Sequence, residues 1–231
     1  MRNAIPKSEK TIPAGVDRTA RAPALERSVE RALSRQRAAY AAEAEKLVQA
    51  ALLLIRERGE LEPPVAAIVR RARLSNQAFY RHFRSKHELL VAVLDHGIAV
   101  LGDYLVARMA KAAGPGERVR AWIRGMLAQA LDTRGAEATR PFVLARSQLA
   151  RHYPEEVARS EQRLAALVQG AIAEAKQAGE LPHADPAADA EALYHLAMGW
   201  LEARLSEGAV APPAQAARLE EFALAGLRAG S

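Results

Sequence analysis

The feature that most constrains the fold is a series of short helical patterns separated by strong helix breakers. Apolar residues recur at three- and four-residue intervals from Glu45 to Gly59, and this glycine predicts a helix end. Pro63-Pro64 prevents that helix from continuing but suits the start of another one. The apolar positions of the second helix are Val65, Ile68, Val69 and Ala72. Because Arg73-Leu74 leaves room only for a tight turn before the next segment, the pattern predicts a helix-turn-helix.

The helix after this turn is predicted to present a polar face. Ser75 is a good N-cap residue, and Phe79 and Phe83 fall four apart on one apolar face. The outward positions are then Asn76, Gln77, Tyr80 and Arg81. Asn and Gln side chains can grip the edge of adenine, whereas tyrosine hydroxyls and cations suit phosphate oxygens. We interpret the segment as a DNA-recognition helix, with a short amphipathic helix that has a solvated face as the alternative.

A further helix is predicted to begin at once. Ser85 and Glu88 have the spacing of a capping box, and Lys86 falls in the first helical turn. A cation at this end opposes the helix dipole at a cost of a few tenths to about 1 kcal/mol. An incoming phosphate would reverse that penalty, so Lys86 is a candidate phosphate contact.

These motifs resemble the N-terminal domain of tetracycline-repressor (TetR) type transcriptional regulators over about a quarter of the chain. The matching positions include Leu47, Ala50, Ala51, Leu54, Glu57, Gly59, Val65, Ile68, Leu74, Ser75, Phe79, Tyr80, His82, Phe83, Ser85, Lys86, Leu89 and Leu90. The resemblance implies an all-α fold, with an N-terminal three-helix helix-turn-helix DNA-binding domain and a C-terminal helical ligand-binding and dimerisation domain. It also implies a homodimer that binds a palindromic double-stranded DNA operator and is released by a small-molecule effector.

Carried over by position, the resemblance places Asn76, Gln77 and Ala78 near bases, and Tyr80, His82 and Lys86 at phosphates. One departure concerns the turn, where such regulators usually have glycine and this chain has Arg73. An arginine forced to positive φ costs about 1 kcal/mol or slightly more. Either the turn is reshaped or Arg73 itself contacts phosphate. The predicted DNA-binding set is therefore Arg73, Ser75, Asn76, Gln77, Ala78, Tyr80, His82 and Lys86.

Composition and charge suggest how the chain is divided. The 231 residues are 50% hydrophobic and only 5% aromatic, which suits a helical protein with a sizeable core. Residues 1–40 hold nine Lys or Arg against four Asp or Glu, and so carry most of the formal charge of +6. We expect a basic, partly disordered N-terminal extension over 1–38, the DNA-binding domain over 39–100, and the effector-binding and dimerisation domain over 101–231.

The extension itself allows two interpretations. Its first part, to about Pro23, mixes prolines with scattered cations and is expected to be mobile. Leu25, Val29 and Leu33 then have helical spacing among arginines, which predicts an added helix that can be fused to the next one. This segment is either a basic arm that holds DNA outside the operator core or a solvated, Arg-rich extension.

The C-terminal part is predicted to consist of further helices over about 118–133, 137–151, 154–179, 185–206 and 213–228. Apolar residues cover more than one face of the last two, which predicts a four-helix bundle across a two-fold axis. The candidate interface residues are Leu196, Gly199, Ala203, Leu219, Phe222 and Leu227. The alternative is that they form a wholly intramolecular core.

The resemblance also implies an effector site among the C-terminal helices, for a largely apolar ligand of unknown identity. Large side chains with occasional polar groups are the candidates, although each could equally be plain core. They are Tyr104, Trp122, Met126, Phe142, Gln148 and Trp200.

Other classes of function find little support in the sequence. There is no Cys, no glycine-rich phosphate loop, no nucleophile elbow and no metal-site spacing among the six His. We therefore expect no enzymatic activity, cofactor, metal or membrane partner, and a cytoplasmic location. The alternative functions are a helical small-molecule-binding or interaction protein with a degenerate DNA-binding domain, supported mainly by Arg73, and an architectural DNA-binding protein without sequence preference.

Overall fold

The computed structural model describes residues 22–59, 62–208 and 210–229, and the regular structure within them is entirely helical. The predicted all-α fold is thus confirmed. The nine α-helices of these residues are α1 (Ala22–Arg58), α2 (Val65–Ala72), α3 (Asn76–His82), α4 (Lys86–Met109), α5 (Pro115–Leu127), α6 (Thr133–His152), α7 (Pro154–Gln177), α8 (Pro186–Ser206) and α9 (Pro213–Ala229). A 3-10 turn, Ala128–Ala130, lies between α5 and α6.

The chain divides into two units between Glu43 and Ala44, within α1. In the first unit, the described residues are helical and almost all exposed, with Leu25 67% exposed. Arg31 Nε donates to the Arg27 carbonyl (3.1 Å) and Arg35 Nε to the Arg31 carbonyl (3.3 Å), so three arginines follow one another on one face of the helix. The helix predicted from Leu25 is present and fused to the next one. A mobile leader was predicted before this helix, and its residues 1–21 lie outside the described residues.

In the second unit, one hydrophobic cluster is built from the end of α1, α2, α3 and the first half of α4. Leu47, Ile55, Ile68 and Phe79 are among its fully buried members. Two side chains from later helices complete it, Leu149 of α6 and Val157 of α7. At the end of α1, Gly59 has φ 67° and donates its N–H to the Ile55 carbonyl (2.8 Å), which is the predicted glycine stop.

The larger hydrophobic cluster joins the second half of α4 to α5, α6, α7, α8 and α9. Trp122 is fully buried there and donates its indole N–H to the Leu164 carbonyl (3.0 Å). Glu220 of α9 is also buried and accepts from Arg120 (2.5 Å) and Arg124 (2.8 Å) of α5. These charge-assisted hydrogen bonds fix the last helix against α5.

Two predicted helix starts were several residues late. Helix α5 begins at Pro115 rather than at residue 118, because proline is well suited to the first helical position and Gly114 precedes it. Helix α6 begins at Thr133 rather than at residue 137, because the Asp132 carboxylate accepts the Gly135 N–H (2.8 Å) as an N-cap. Pro141 lies inside α6 without ending it.

Helix α4 is, among the described residues, the one helix long and apolar enough to cross a membrane by length and composition. An 18-residue window in it has a mean hydropathy of 1.8, and 28% of that window is buried. Core helices of soluble proteins pass the same test. Leu89, Leu90 and Val93 of α4 belong to the first hydrophobic cluster and Leu105 to the second, so this helix contributes to both cores.

Candidate DNA-binding surface and interior cavity

The turn between α2 and α3 keeps a regular shape even though an arginine occupies it. Arg73 has φ 57° and ψ 41°, the left-handed conformation, and no other described non-glycine residue has positive φ. Its N–H donates to the Arg70 carbonyl (3.3 Å), and the Leu74 N–H donates to the Val69 carbonyl (2.9 Å). These are the two hydrogen bonds of a Schellman motif, which usually has glycine at this position. The turn is therefore not reshaped, and the arginine takes on the strain of a glycine site.

Helix α3 is anchored on one side and exposed on the other. Ser75 caps it by accepting the Ala78 N–H (3.1 Å), and Phe79 and Phe83 are buried with their rings 6.0 Å apart. Asn76, Gln77 and Arg81 are exposed, as is Tyr80 at 61%. His82 is half-buried. Ala78 is only 5% exposed, so its side chain faces the protein, and the side chains of Asn76 and Gln77 are the ones available for contact with bases.

The start of α4 differs slightly from the predicted capping box. The Ser85 hydroxyl accepts the Glu88 N–H (3.1 Å), as expected. The Glu88 carboxylate, however, accepts the Arg84 N–H (2.6 Å), one residue earlier than in the usual motif. The Ser85 hydroxyl is also hydrogen-bonded to the Tyr153 hydroxyl (3.2 Å), so the cap is linked to the junction of α6 and α7.

Lys86 is already engaged with an acidic residue that sequence reasoning missed. Its Nζ lies 2.6 Å from Glu62 Oε2. The other carboxylate oxygen of Glu62 accepts from Gln148 Nε2 of α6 (3.2 Å). The hydrogen bond from Lys86 is the main reason why the pKa of the Glu62 carboxyl is lowered. A DNA phosphate at Lys86 would therefore have to compete with this carboxylate.

A cavity of about 680 Å³ lies within the second unit. Its lining comes from α1, α4, α6, α7, α8 and the segment around the 3-10 turn, and much of it is apolar. The lining includes a polar group of three residues, Arg146, Glu161 and Tyr194. Arg146 and Glu161 pair bidentately, with 2.7 Å between Nη2 and Oε2. Burial is the main reason why the pKa of Tyr194 is raised.

The predicted ligand residues fall in different places. Tyr104 and Phe142 line the cavity. Trp122 and Met126 are fully buried in the larger cluster outside this lining, and Trp200 is half-buried against that cluster. Gln148 is hydrogen-bonded to Glu62 instead.

The polar group on the cavity wall was missed, although one sequence signal was available. Glu161 lies four residues after Val157 and three before Leu164, both of which are buried. A carboxylate in the buried register of a helix needs a partner, and Arg146 supplies it. The partner itself, on another helix, could not be identified from the spacing.

The predicted interface residues of α8 and α9 divide into an exposed and a buried group. Gly199 and Ala203 are exposed, Leu196 and Leu219 are half-buried, and Phe222 is 69% exposed. Leu227, in contrast, is 5% exposed and belongs to the larger cluster. Within the residues described here, no group of three His, Asp or Glu side chains could hold a metal ion.

Comparison with known proteins gives matches in the N-terminal domain and across the fold. Residues 47–93 match the family model described as bacterial regulatory proteins, tetR family. The HTH-type transcriptional regulator BetI of Rhizobium meliloti (strain 1021) is 41% identical over 78 residues, which are 34% of this chain and 38% of that protein. The chain thus matches little more than a third of the length of that curated relative.

Two solved structures resemble most of the chain at low sequence identity. The transcriptional regulator FadR from Bacillus subtilis, in complex with stearoyl-CoA, is 16% identical, with a TM-score of 0.59 and coverage of 81% of this chain and 98% of that one. AibR, in complex with isovaleryl coenzyme A and operator DNA, is 20% identical, with a TM-score of 0.52 and coverage of 79% and 96%. At these identities the likeness is one of fold.

Proposed function

We propose that this chain, whose residues 47–93 match the tetR family of bacterial regulatory proteins, is a homodimeric, sequence-specific DNA-binding regulator. In this proposal it is a cytoplasmic repressor, without enzymatic activity, that leaves a palindromic operator when a small, largely apolar molecule binds. The observation that carries the proposal is the exposed polar face of α3, held in place by the Ser75 cap and by Phe79 and Phe83.

In the proposed complex, α3 lies in the major groove. Asn76 and Gln77 are exposed in its first turn, where the residues of a recognition helix reach base edges. Tyr80, His82 and Lys86 would contact phosphates, with Lys86 exchanging Glu62 for a phosphate oxygen. Arg73 is exposed in the turn before α3 and adds a cation to the same end of the domain.

The main support for a degenerate DNA-binding domain was Arg73. That support is weakened because the turn retains both Schellman hydrogen bonds with arginine in place. Leu74, the residue after it, packs against the first hydrophobic cluster. The α2–α3 geometry that a helix-turn-helix requires is therefore present.

The proposal is tested by selecting random DNA fragments with the purified protein at about 150 mM salt, where non-specific contacts weaken. We expect one palindromic site to be enriched. Replacing Tyr80 and Lys86 together by Ala should abolish that enrichment, while the matched change Arg159→Ala, in an exposed cation of α7, should leave it intact. Recovery of DNA without a preferred sequence would favour an architectural DNA-binding protein. Recovery of no DNA would favour a protein with a degenerate DNA-binding domain.

Dimerisation is proposed through the exposed face of α8 and α9. Phe222 is a large aromatic residue exposed to solvent, and Gly199 and Gly226 have open space where a Cβ would be, so a second helix could approach closely. Gly226 lies one turn after Phe222 on α9, and an exposed aromatic next to a small residue is typical of a subunit contact. We expect twice the monomer mass in sedimentation equilibrium. Phe222→Asp should shift the equilibrium toward monomer, whereas Val210→Asp, which also charges an exposed apolar position, should not.

A further inference from the structure

We infer that the molecule bound in the cavity is an amphipathic anion, with its acid group at Arg56 and Arg134 and its apolar chain in the interior. Both arginines line the cavity and both are exposed to solvent. The inference rests on the proposed function, because it names the chemistry of the effector in that proposal.

The interior of the cavity favours an apolar chain. Its wall contains leucine, isoleucine, valine, methionine and phenylalanine side chains from several helices, including Leu94, Ile98, Leu101, Phe142, Val143 and Leu201. A volume of about 680 Å³ is within the range of pockets that bury most of a small organic ligand. Removing an alkyl chain from water is favourable in proportion to its buried area.

The charges around the cavity favour an anion over a cation. Three arginines and two carboxylates line it, which leaves one positive charge in excess. Arg146 is neutralised by its bidentate partner Glu161, and the Asp132 carboxylate accepts the Gly135 N–H as the cap of α6. Arg56 and Arg134 form no ion pair with any residue in the described ranges, so their guanidinium groups can still bind an acid group.

The position of the acid group follows from the interior residues. Arg146 and Glu161 satisfy each other, and Tyr194, which is buried beside them, is neutral at physiological pH. An anion placed there would lose its hydration without gaining an unpaired cation, which is unfavourable. At either exposed arginine the same anion stays near water and meets a cation that has no ion-pair partner in the described part of the chain. Arg134 also lies in the first turn of α6, where the helix dipole favours an anion.

Binding of three ten-carbon probes distinguishes these charge preferences. Decanoate, decan-1-ol and decylammonium carry the same chain with a negative, neutral or positive end, and each is titrated calorimetrically below its micelle concentration. We expect decanoate to bind about tenfold or more tightly than decan-1-ol, as charge-assisted hydrogen bonds imply, and decylammonium to bind most weakly. Equal affinity for acid and alcohol, or a preference for the cation, would overturn the inference.

Two variants locate the site. R56Q/R134Q should remove the advantage of decanoate and leave decan-1-ol binding unchanged, whereas the control R159Q, in an exposed arginine of α7, should change neither. Ala138→Trp, which fills part of the cavity from α6, should abolish the binding of both probes. If Ala138→Trp still binds decanoate, the anion binds elsewhere and the inference is wrong. Melting temperatures close to that of the unaltered protein establish that each variant is folded.

The same samples separate this inference from the proposed function. Operator selection by the protein without ligand depends on α3 and not on Arg56 or Arg134. A protein that selects an operator but prefers decan-1-ol retains the proposed function and refutes the effector chemistry. A protein that binds decanoate in the cavity but selects no DNA retains the effector chemistry and refutes the proposed function.

Discussion

Replacing Arg73 by Gly and, separately, by Ala separates the conformational cost of this residue from its charge. Both changes remove the guanidinium group, but only glycine relieves the left-handed backbone at φ 57°. A non-glycine residue in this conformation costs about 1–2 kcal/mol, and the greater freedom of glycine in the unfolded chain offsets roughly 0.5–1 kcal/mol of that gain. Arg73→Gly should therefore be more stable than Arg73→Ala by roughly 0.5–1 kcal/mol.

Urea unfolding followed by circular dichroism measures this difference, which corresponds to about 1–4 °C in melting temperature for a unit of this size. Gly59→Ala is the converse control, since Gly59 also has positive φ, 67°, and nothing lies within 4 Å of an added Cβ. By the same estimate it should be destabilising by roughly 0.5–1 kcal/mol. Equal stability of Arg73→Gly and Arg73→Ala would refute the strain argument.

The DNA affinities of the same two Arg73 variants test the phosphate contact. Both should show a shallower salt dependence of binding, by about 0.9 per protomer, because each variant neutralises one phosphate fewer. An unchanged slope in both variants would mean that the Arg73 side chain remains away from the DNA.

Three further predictions concern other parts of the molecule. Glu62→Gln should raise operator affinity by up to about fivefold in fluorescence anisotropy, because Lys86 is freed for phosphate, whereas Glu57→Gln should not. The N-terminal extension can be tested by deleting residues 1–24 or by replacing Arg27, Arg31 and Arg35 with Gln. If the extension holds DNA, each change should flatten the salt dependence of DNA binding by about 0.9 for each phosphate that is no longer neutralised. An unchanged slope would favour a solvated extension. Because burial raises the pKa of Tyr194 above its ordinary value of 10.0, its contribution to stability is complete below that pH and declines as the pH rises above it. Chemical unfolding should thus show a steeper alkaline loss of stability in the unaltered protein than in Tyr194→Phe.

The elements that could be predicted from the sequence are those fixed by local chemistry. Ser75 and Ser85 as caps, Gly59 as a stop and Pro154 as the first residue of α7 act within one or two helical turns, and the structure has all of them. The left-handed conformation of Arg73 did not follow in the same way, because a reshaped turn was an equally open alternative. The late start predicted for α6 shows the limit of this approach, since the Asp132 cap was overlooked.

What could not be predicted are pairings between residues far apart in the chain. Glu62 and Gln148 are 86 positions apart, and no periodic pattern connects them. Arg146 and Glu161 are on different helices, and their pairing depends on how α6 packs against α7. The cavity has the same origin, because its wall is assembled from six helical segments whose spacing is fixed only in the folded protein.

Leu149 of α6 and Val157 of α7 make the stability of the first hydrophobic cluster depend on the later helices. Leu149 and Val157 are both almost fully buried there, so the core beneath α3 is closed only when the later helices are in place. Removing those helices would expose the apolar surface that these two side chains cover. The cluster of residues 47–94 therefore includes two buried side chains from beyond residue 100. Residues 44–229 should melt in a single cooperative transition, and a destabilising substitution in one half of this unit should lower the stability of the other.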